Sequence, residues 1–318
     1  PVQLIWDRAD DTRFDAYRPA SAHRLEAKLD KGGRLLSWQH HIAGTSVSTM
    51  TEGPDTKNLA ENSGGADKDF WYDVPNVRTG YSHVEFDLNR GWLRAVDVCV
   101  NTFPIESFID EIAQQLKKDP LEYRLSLLEG KSPFNVEQWG ATYKQDPARI
   151  AGVLKLAAEK IGWKNPREKD HYIGLATHSF LPAKAYAAHA VEIEIIGPKK
   201  FRIKKIVGAI DCGLVINPDG LRNQMEGAIA FGLTQAIKGE ITVQDGKVVE
   251  DGFYSYELLR FDEMPPLEIY MIESKEDPGG VGEVGLPTVA PALCNALAAA
   301  GMRPRNLPIR KDGFVLSV

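Results

Sequence analysis

Period-two alternation dominates the first hundred residues, and helical spacing follows. Val2 to Trp6 carries a strand pattern directly after Pro1, and Leu25-Glu26-Ala27-Lys28-Leu29 alternates apolar with polar. Asp30-Lys31-Gly32-Gly33 predicts a hairpin turn, with residues 34–42 as the returning strand. Residues 52–69 are polar and glycine-containing and read as a long loop. Residues 72–76 read as a turn into a strand around 81–88. Ile105, Phe108, Ile109, Ile112 and Leu116 then recur at helical spacing, with Pro104 in the first turn. Asp119-Pro120-Leu121-Glu122 opens a second helix, with Asp119 as cap and Pro120 at the first position. A third helix starts at Asp146-Pro147, buries Ile150, Val153, Leu154, Ala157 and Ile161, and closes at Gly162.

The charged stretch 165–170 breaks this pattern and marks the expected internal boundary. Beyond it, residues 190–196 and 201–210 predict two strands joined at Gly197-Pro198. Asn217-Pro218-Asp219 starts a helix running to about Ile237. Asp245-Gly246 turns a short hairpin between residues 240–243 and 248–250, and residues 267–272 form another strand. Strand blocks mixed with helix pairs, without regular βαβ alternation, predict an α+β architecture of mixed sheets with packed helices. The expected division is residues 1–165, a strand-rich segment plus helix pair completing a domain begun upstream, and residues 166–318, a catalytic domain. A strand pattern starting at Pro1 with no lead-in suggests a fragment or one piece of a split subunit.

Composition narrows the function classes. Of 318 residues, 43% are hydrophobic and 26% charged, as in ordinary globular proteins. The net charge of −6, with Lys and Arg scattered, argues against a nucleic-acid surface. No apolar run approaches the ~20 residues of a membrane span. Cys99, Cys212 and Cys294 form no CxxC pair, so no zinc or iron–sulfur site and no disulfide framework is expected from this chain. His40 and His41 are adjacent on a strand and point to opposite faces, so they do not chelate one metal together. His171, His178 and His189 read as structural.

Candidate chemistry concentrates in Gly279-Gly280-Val281-Gly282-Glu283-Val284-Gly285-Leu286-Pro287. Glycine is placed where backbone must approach something closely. Taken alone, Glu283 could be a solvated loop residue. Pro287 and the apolar helix that follows argue for a packed loop, and burial raises a carboxyl pKa toward the range useful for proton transfer. A second segment, Asp211-Cys212-Gly213-Leu214-Val215-Ile216-Asn217-Pro218, leads into a helix carrying Gln224 among small residues. Gln224 offers both a donor and an acceptor; the alternative is a tightly packed core helix. Arg94 is a lone cation in an apolar segment, either a salt-bridge partner of Glu106 or Asp110 or a ligand-binding group.

In this order, PVQLIWDRADDTRFDAYRPASAHR, the Gly91–Glu129 segment with ESFIDE and DPLEYRLSLL, IGLATHSFLPAKAYAAHAVEIE, DCGLVINP, NQMEG and GGVGEVGLP resemble the large subunit of molybdenum hydroxylases of the xanthine oxidase family. The isoquinoline 1-oxidoreductase type, which includes many chains labelled aldehyde dehydrogenase, is the nearest likeness. The resemblance implies molybdopterin, in its cytosine dinucleotide form, with molybdenum held by the pterin dithiolene and by no side chain. It implies Glu283 as general base toward a molybdenum-bound hydroxyl, Gln224 bonded to the centre, Arg94 in the flanking loop, and Gly279, Gly280 and Gly282 closing over the metal. It further implies a small subunit with 2Fe-2S clusters, a cytochrome electron acceptor, and a soluble bacterial protein of the periplasm or cytoplasm. The family's MGQG and GGGFGRR segments are absent and expected upstream. Asn62-Ser63-Gly64-Gly65 stands where purine hydroxylases carry an arginine, and Val96 where they carry a pocket aromatic, so an N-heteroaromatic or aldehyde substrate is expected over a purine. A non-catalytic scaffold of the same fold is the alternative.

Overall fold

The computed structural model describes residues 1–51, 62–138 and 140–317. Residues 1–7 form no strand, contrary to the alternation there. Val2, Leu4, Ile5 and Trp6 are all exposed, so no packed face underlies the pattern. A short helix, α1 (Arg8–Phe14), follows, with the Asp7 carboxylate accepting from the Asp10 N–H at 2.8 Å.

The predicted hairpin is present as β1 (Ser21–Leu29) and β2 (Leu35–Gly44), paired antiparallel. The next strand, β3 (Val77–His83), lies earlier than the pattern suggested and runs parallel to β2, Trp38 opposite Val77 and Gly44 opposite His83. Residues 62–69 of the expected loop form turns; the rest of it, 52–61, lies outside the described residues.

Helix α2 (Val96–Gln115) starts well before Pro104, which sits inside it. Its first turns, Val-Asp-Val-Cys-Val-Asn-Thr, are rich in poor helix formers, which hid them from propensity. Burial of Val98, Asn101 and Thr102 overrides that preference. Helix α3 (Pro120–Leu128) is capped by Asp119, and α4 (Pro147–Ile161) runs from the Asp146 cap to Gly162, φ +73°. An unpredicted hairpin, β4 (Phe134–Gln138) with β5 (Ala141–Gln145), joins them.

The second half centres on β6 (His171–Phe180), β7 (Ala185–Gly197) and β8 (Lys200–Asp211), successively antiparallel. Helix α5 (Pro218–Ile237) starts at an Asn217 cap, as predicted, and the small hairpin β9 (Val243–Gln244) and β10 (Lys247–Val248) follows. Strand β11 (Leu267–Met271) runs parallel to β8, helix α6 (Val289–Ala299) comes after the glycine loop, and β12 (Val315–Leu316) adds to the start of β8.

Both faces of the five-stranded sheet are buried. Leu175, Ala188, Ala190, Val207 and Ala209 face one core with α2, α3, α4 and β2; Ala187, Val191, Ile206 and Ile210 face a second core with α5 and α6. The first core draws residues from both sides of position 165, from Leu35 to Ala209. Close approach demands glycine at two crossings: a Cβ on Gly174 of β6 would stand 2.1 Å from the Ala296 nitrogen of α6, and one on Gly232 of α5 2.7 Å from Val289 Cβ.

His178 and His189 are fully buried in this sheet, His189 Nδ1 sharing a hydrogen bond with Thr288 Oγ1 at 2.6 Å. Burial pushes His189 down to about 3, helped by repulsion from His178, which burial pushes to about 4. The unfolded chain titrates near 6.5 and so binds more protons below that pH. The stability these neutral rings contribute is complete above about pH 7 and is lost as pH falls from about 6.5 toward 4. Asp69 and Asp97, raised by burial to about 6 and about 7, act with the opposite sign, so a variant isolates the histidine. Between pH 7.5 and pH 4, the stability of His189→Gln relative to wild type is expected to improve by about 3 kcal/mol, read from urea midpoints at the two pH values.

Candidate active site

The glycine loop is fastened at both ends before it presents Glu283. At its start, the Gly279 N–H donates to the Cys212 carbonyl and the Gly280 N–H to the Ala183 carbonyl, each at 2.7 Å. A Cβ on Gly279 would lie 2.3 Å from the Ala183 oxygen, so this glycine serves packing against the β6–β7 connection. Gly280 also abuts Ala183, at 3.2 Å. At the far end, His178 Nε2 donates to the Val284 carbonyl at 2.7 Å, which fixes the proton on that nitrogen, and Gly285 packs on Met225 of α5. Gly282 is different: a Cβ there would meet nothing within 4 Å. The open side of the loop therefore lies beside Glu283.

Glu283 is half-buried, not buried as the packed-loop argument expected. Its Oε1 accepts a 2.8 Å hydrogen bond from the Ala95 N–H at the start of α2. Among the described residues, Oε2 makes no hydrogen bond. One carboxylate oxygen is thus fixed by a helix N-terminus, which favours negative charge, and the other is left available.

Arg94 is not the salt-bridge partner of Glu106 or Asp110. Glu106 and Asp110 are paired instead with Arg124, and Asp110 also with Arg303. The Arg94 Nε donates to the Gly282 carbonyl, and Nη2 donates at 3.1 Å to both the carbonyl and the side-chain Oε1 of Gln224. Burial lowers the Arg94 pKa, and the facing Glu283 charge opposes this. Gln224 is exposed on α5, with only its oxygen engaged. Arg94, Gln224, Gly282 and Glu283 are therefore one constellation, assembled from α5, the glycine loop and the turn before α2.

That turn is conformationally unusual. Ala95 has φ +63° and Val96 φ +33°, the left-handed region that side chains other than glycine rarely occupy. Val96 lines a small cavity of about 30 Å³, together with Trp92, Asp97, Val100, Ile42 and Arg18. The Asp97 carboxylate accepts from the Gly64 N–H at 2.6 Å, and burial pushes its pKa up to about 7. Asn62 of the Asn62–Gly65 stretch also lines this cavity. Arg18 and Asp97 were missed from the sequence, and His178, read as structural, fastens the loop. Arg18 carried one signal, a lone arginine in the Tyr-Arg-Pro that leads into a strand; Asp97 needed the fold.

In the DCGLVINP segment, Asp211 and Gly213 make structural contacts. Asp211 accepts from Nε and Nη2 of Arg149 on α4, at 2.8 and 2.6 Å, and a Cβ on Gly213, φ +72°, would stand 2.1 Å from the Asp277 carbonyl oxygen. Among the described residues, no group of three or more His, Cys, Asp or Glu side chains is placed to hold a metal ion, and no helix is long and apolar enough to cross a membrane.

Two family profiles, each described as a molybdopterin cofactor-binding domain, match residues 1–127 and 111–265. The chain is 30% identical to the isoquinoline 1-oxidoreductase subunit beta of Brevundimonas diminuta, over 97% of this chain and 38% of that protein. It is 31% identical to a protein of Gluconacetobacter polyoxogenes named membrane-bound aldehyde dehydrogenase [pyrroloquinoline-quinone], over 98% of this chain and 42% of that one. The chain thus spans about two fifths of the length of these curated relatives. The fold is similar to quinoline 2-oxidoreductase from Pseudomonas putida 86, with TM-score 0.74 at 14% identity, covering 93% of this chain and 61% of that one. Aldehyde oxidoreductase from Desulfovibrio gigas superposes with TM-score 0.71 at 12% identity, covering 96% and 50%.

Proposed function

Given that this chain belongs to the molybdenum hydroxylases of the xanthine oxidase family, as part of the large molybdopterin-binding subunit, we propose that Glu283 is its general base. The reaction is hydroxylation of an electron-poor carbon in an N-heteroaromatic or an aldehyde, with oxygen taken from water and two electrons and two protons released. The observation that carries the reading is the split in the Glu283 carboxylate: Oε1 is tied to the Ala95 N–H, while Oε2 makes no hydrogen bond among the described residues and the adjoining Gly282 backs onto open space. A base must be held still and yet keep one lone pair free for the proton it removes.

The residues present fit a bound molybdopterin. Gly282 backs onto open space, Gln224 is exposed with its amide N–H₂ unused, and Arg94 locks both to the same corner. Gln224 and Arg94 would hold the edge of the group, Gly282 would let it come close, and Gly279 and Gly280 would fix the loop behind it. The cofactor, here taken as the cytosine dinucleotide form, supplies the activated oxygen and the two-electron sink. Val96, Val100 and Trp92 exclude water and contact the substrate on the far side of the Ala95 turn. Residues 166–318 carry most of this machinery, and residues 1–165 supply Arg94, Val96 and the Ala95 N–H.

The rest of the large subunit is proposed to complete the pocket. The exposed apolar residues Val2, Leu4, Ile5, Trp6, Tyr254 and Phe261 suit burial against it. Electrons would leave through 2Fe-2S clusters of a small partner subunit to a cytochrome acceptor, in the periplasm or the cytoplasm. Metal and pterin analysis of the complete assembly tests the reading. About one molybdenum per copy of this chain is expected; an assembly without molybdenum would favour a scaffold role.

A further inference from the structure

We infer that Arg18 is a positioning residue for Glu283, acting through a single peptide group. Arg18 lies just before β1, far from the glycine loop in sequence. Its Nη2 donates to the Arg94 carbonyl and its Nη1 to the Val96 carbonyl, each at 2.5 Å. The Arg94 carbonyl and the Ala95 N–H belong to the same peptide unit. That N–H is the group that donates to Glu283 Oε1 at 2.8 Å. A guanidinium therefore caps the oxygen end of a peptide whose nitrogen end holds the base. Hydrogen bonds linked in this way polarise one another, and opposite charges at the two ends reinforce the effect.

The same fork accounts for the backbone. Ala95 and Val96 both sit at positive φ, and Val96 is β-branched. Two such residues in succession persist only where the surroundings over-determine them. Arg18 spans the carbonyls on either side of Ala95, which the planar, two-pronged guanidinium does and an ammonium cannot. The Ala95 side chain is fully buried against Ala228 and Leu286, and the Val96 N–H donates to the Leu93 carbonyl at 2.8 Å. These contacts close the turn; the Arg94–Ala95 peptide itself is held at its N–H end by Glu283 and at its carbonyl end by Arg18. Arg94 is a charged group that faces Glu283, and it reaches the Gly282 carbonyl of the loop from the same turn.

The inference rests on the reading of Glu283 as base. In the complete assembly, Arg18→Ala is expected to lower kcat by about 10–100-fold with KM changed less than about three-fold, and added guanidinium ion is expected to restore part of the loss. Arg18→Lys keeps the charge without the fork and is expected to fall between. Independently of turnover, amide hydrogen exchange at Ala95 is expected to quicken at least ten-fold in Arg18→Ala and Arg18→Lys. Folded variants with wild-type kcat and unchanged Ala95 exchange would overturn the proposal. Should Arg18→Ala fail to fold, Arg18→Lys carries the test. Exchange reads the Arg18–Ala95 linkage alone, whereas kinetics of Glu283→Gln decide the base, so the two failures are distinguishable.

Discussion

Replacing Glu283 with Gln is expected to lower turnover of the complete assembly by about 10²–10⁴-fold, the span that a positioned general base contributes, with molybdenum content and thermal midpoint unchanged. Glutamine is nearly isosteric, and its Oε1 can keep the 2.8 Å bond from the Ala95 N–H. What it loses is the ability to take a proton at the second position, where an amide N–H₂ would stand in place of the free oxygen. Because Glu283 is half-buried and its loop is held by Gly279, Gly280, His178 and Gly285, the substitution should not disturb the fold. Steady-state kinetics beside metal analysis check this. Wild-type turnover in Glu283→Gln would remove the base assignment.

Arg124→Met is expected to destabilise the protein by about 3–5 kcal/mol, the cost of breaking a buried ion pair by removing one partner. Arg124 and Glu106 are both fully buried. Arg124 Nε donates to Glu106 Oε2 at 2.9 Å, Nη2 to the Glu106 carbonyl at 2.8 Å and Nη1 to the Pro120 carbonyl at 3.1 Å. Glu106 also accepts from the Tyr72 hydroxyl at 2.6 Å and from the Thr177 N–H at 3.1 Å. Asp110 adds a contact to Arg124 and a stronger one to Arg303, at 2.9 Å. Methionine fills similar space but leaves Glu106 charged or forces it to take up a proton in the core. Burial by itself would lower the Arg124 pKa, but Glu106, Tyr72 and Asp110 outweigh that and hold it above the ordinary value. Urea denaturation checks the figure. The double variant Arg124→Met, Glu106→Gln should recover part of the loss, because it no longer buries an unpaired charge.

These two sites show what the sequence could convey. Asp119-Pro120, Asp146-Pro147 and Asn217-Pro218 each start a helix where the cap chemistry placed it, because capping is local. The pairing of β1 with β2 followed from a glycine turn and alternation, which are also local. The strand expected at Val2–Trp6 failed because alternation reports a half-buried face only when something covers it, and these side chains are exposed. The early start of α2 was hidden because burial, not propensity, stabilises its first turns.

The same division holds at the site. Glu283 and its glycines stood out as a motif, and Arg94 and Gln224 as residues of unusual company. The motif did not distinguish glycines that pack, at 279 and 280, from the one that leaves space, at 282; that depends on what lies opposite. Glu106 was left open as a partner for Arg94, but Arg124 claims it one helix later. Asp97 and Arg18 could not be found from spacing, since each gains its role from a contact distant in sequence: Asp97 with Gly64, Arg18 with the carbonyls of Arg94 and Val96.

The central claim is that Glu283 moves the proton in the chemical step. Anaerobic single-turnover reduction by substrate, comparing wild-type and Glu283→Gln assemblies of equal molybdenum content, tests it most directly, because product release does not enter. The account predicts a reduction rate at least about 100-fold slower in Glu283→Gln. Equal rates in the two assemblies would contradict it.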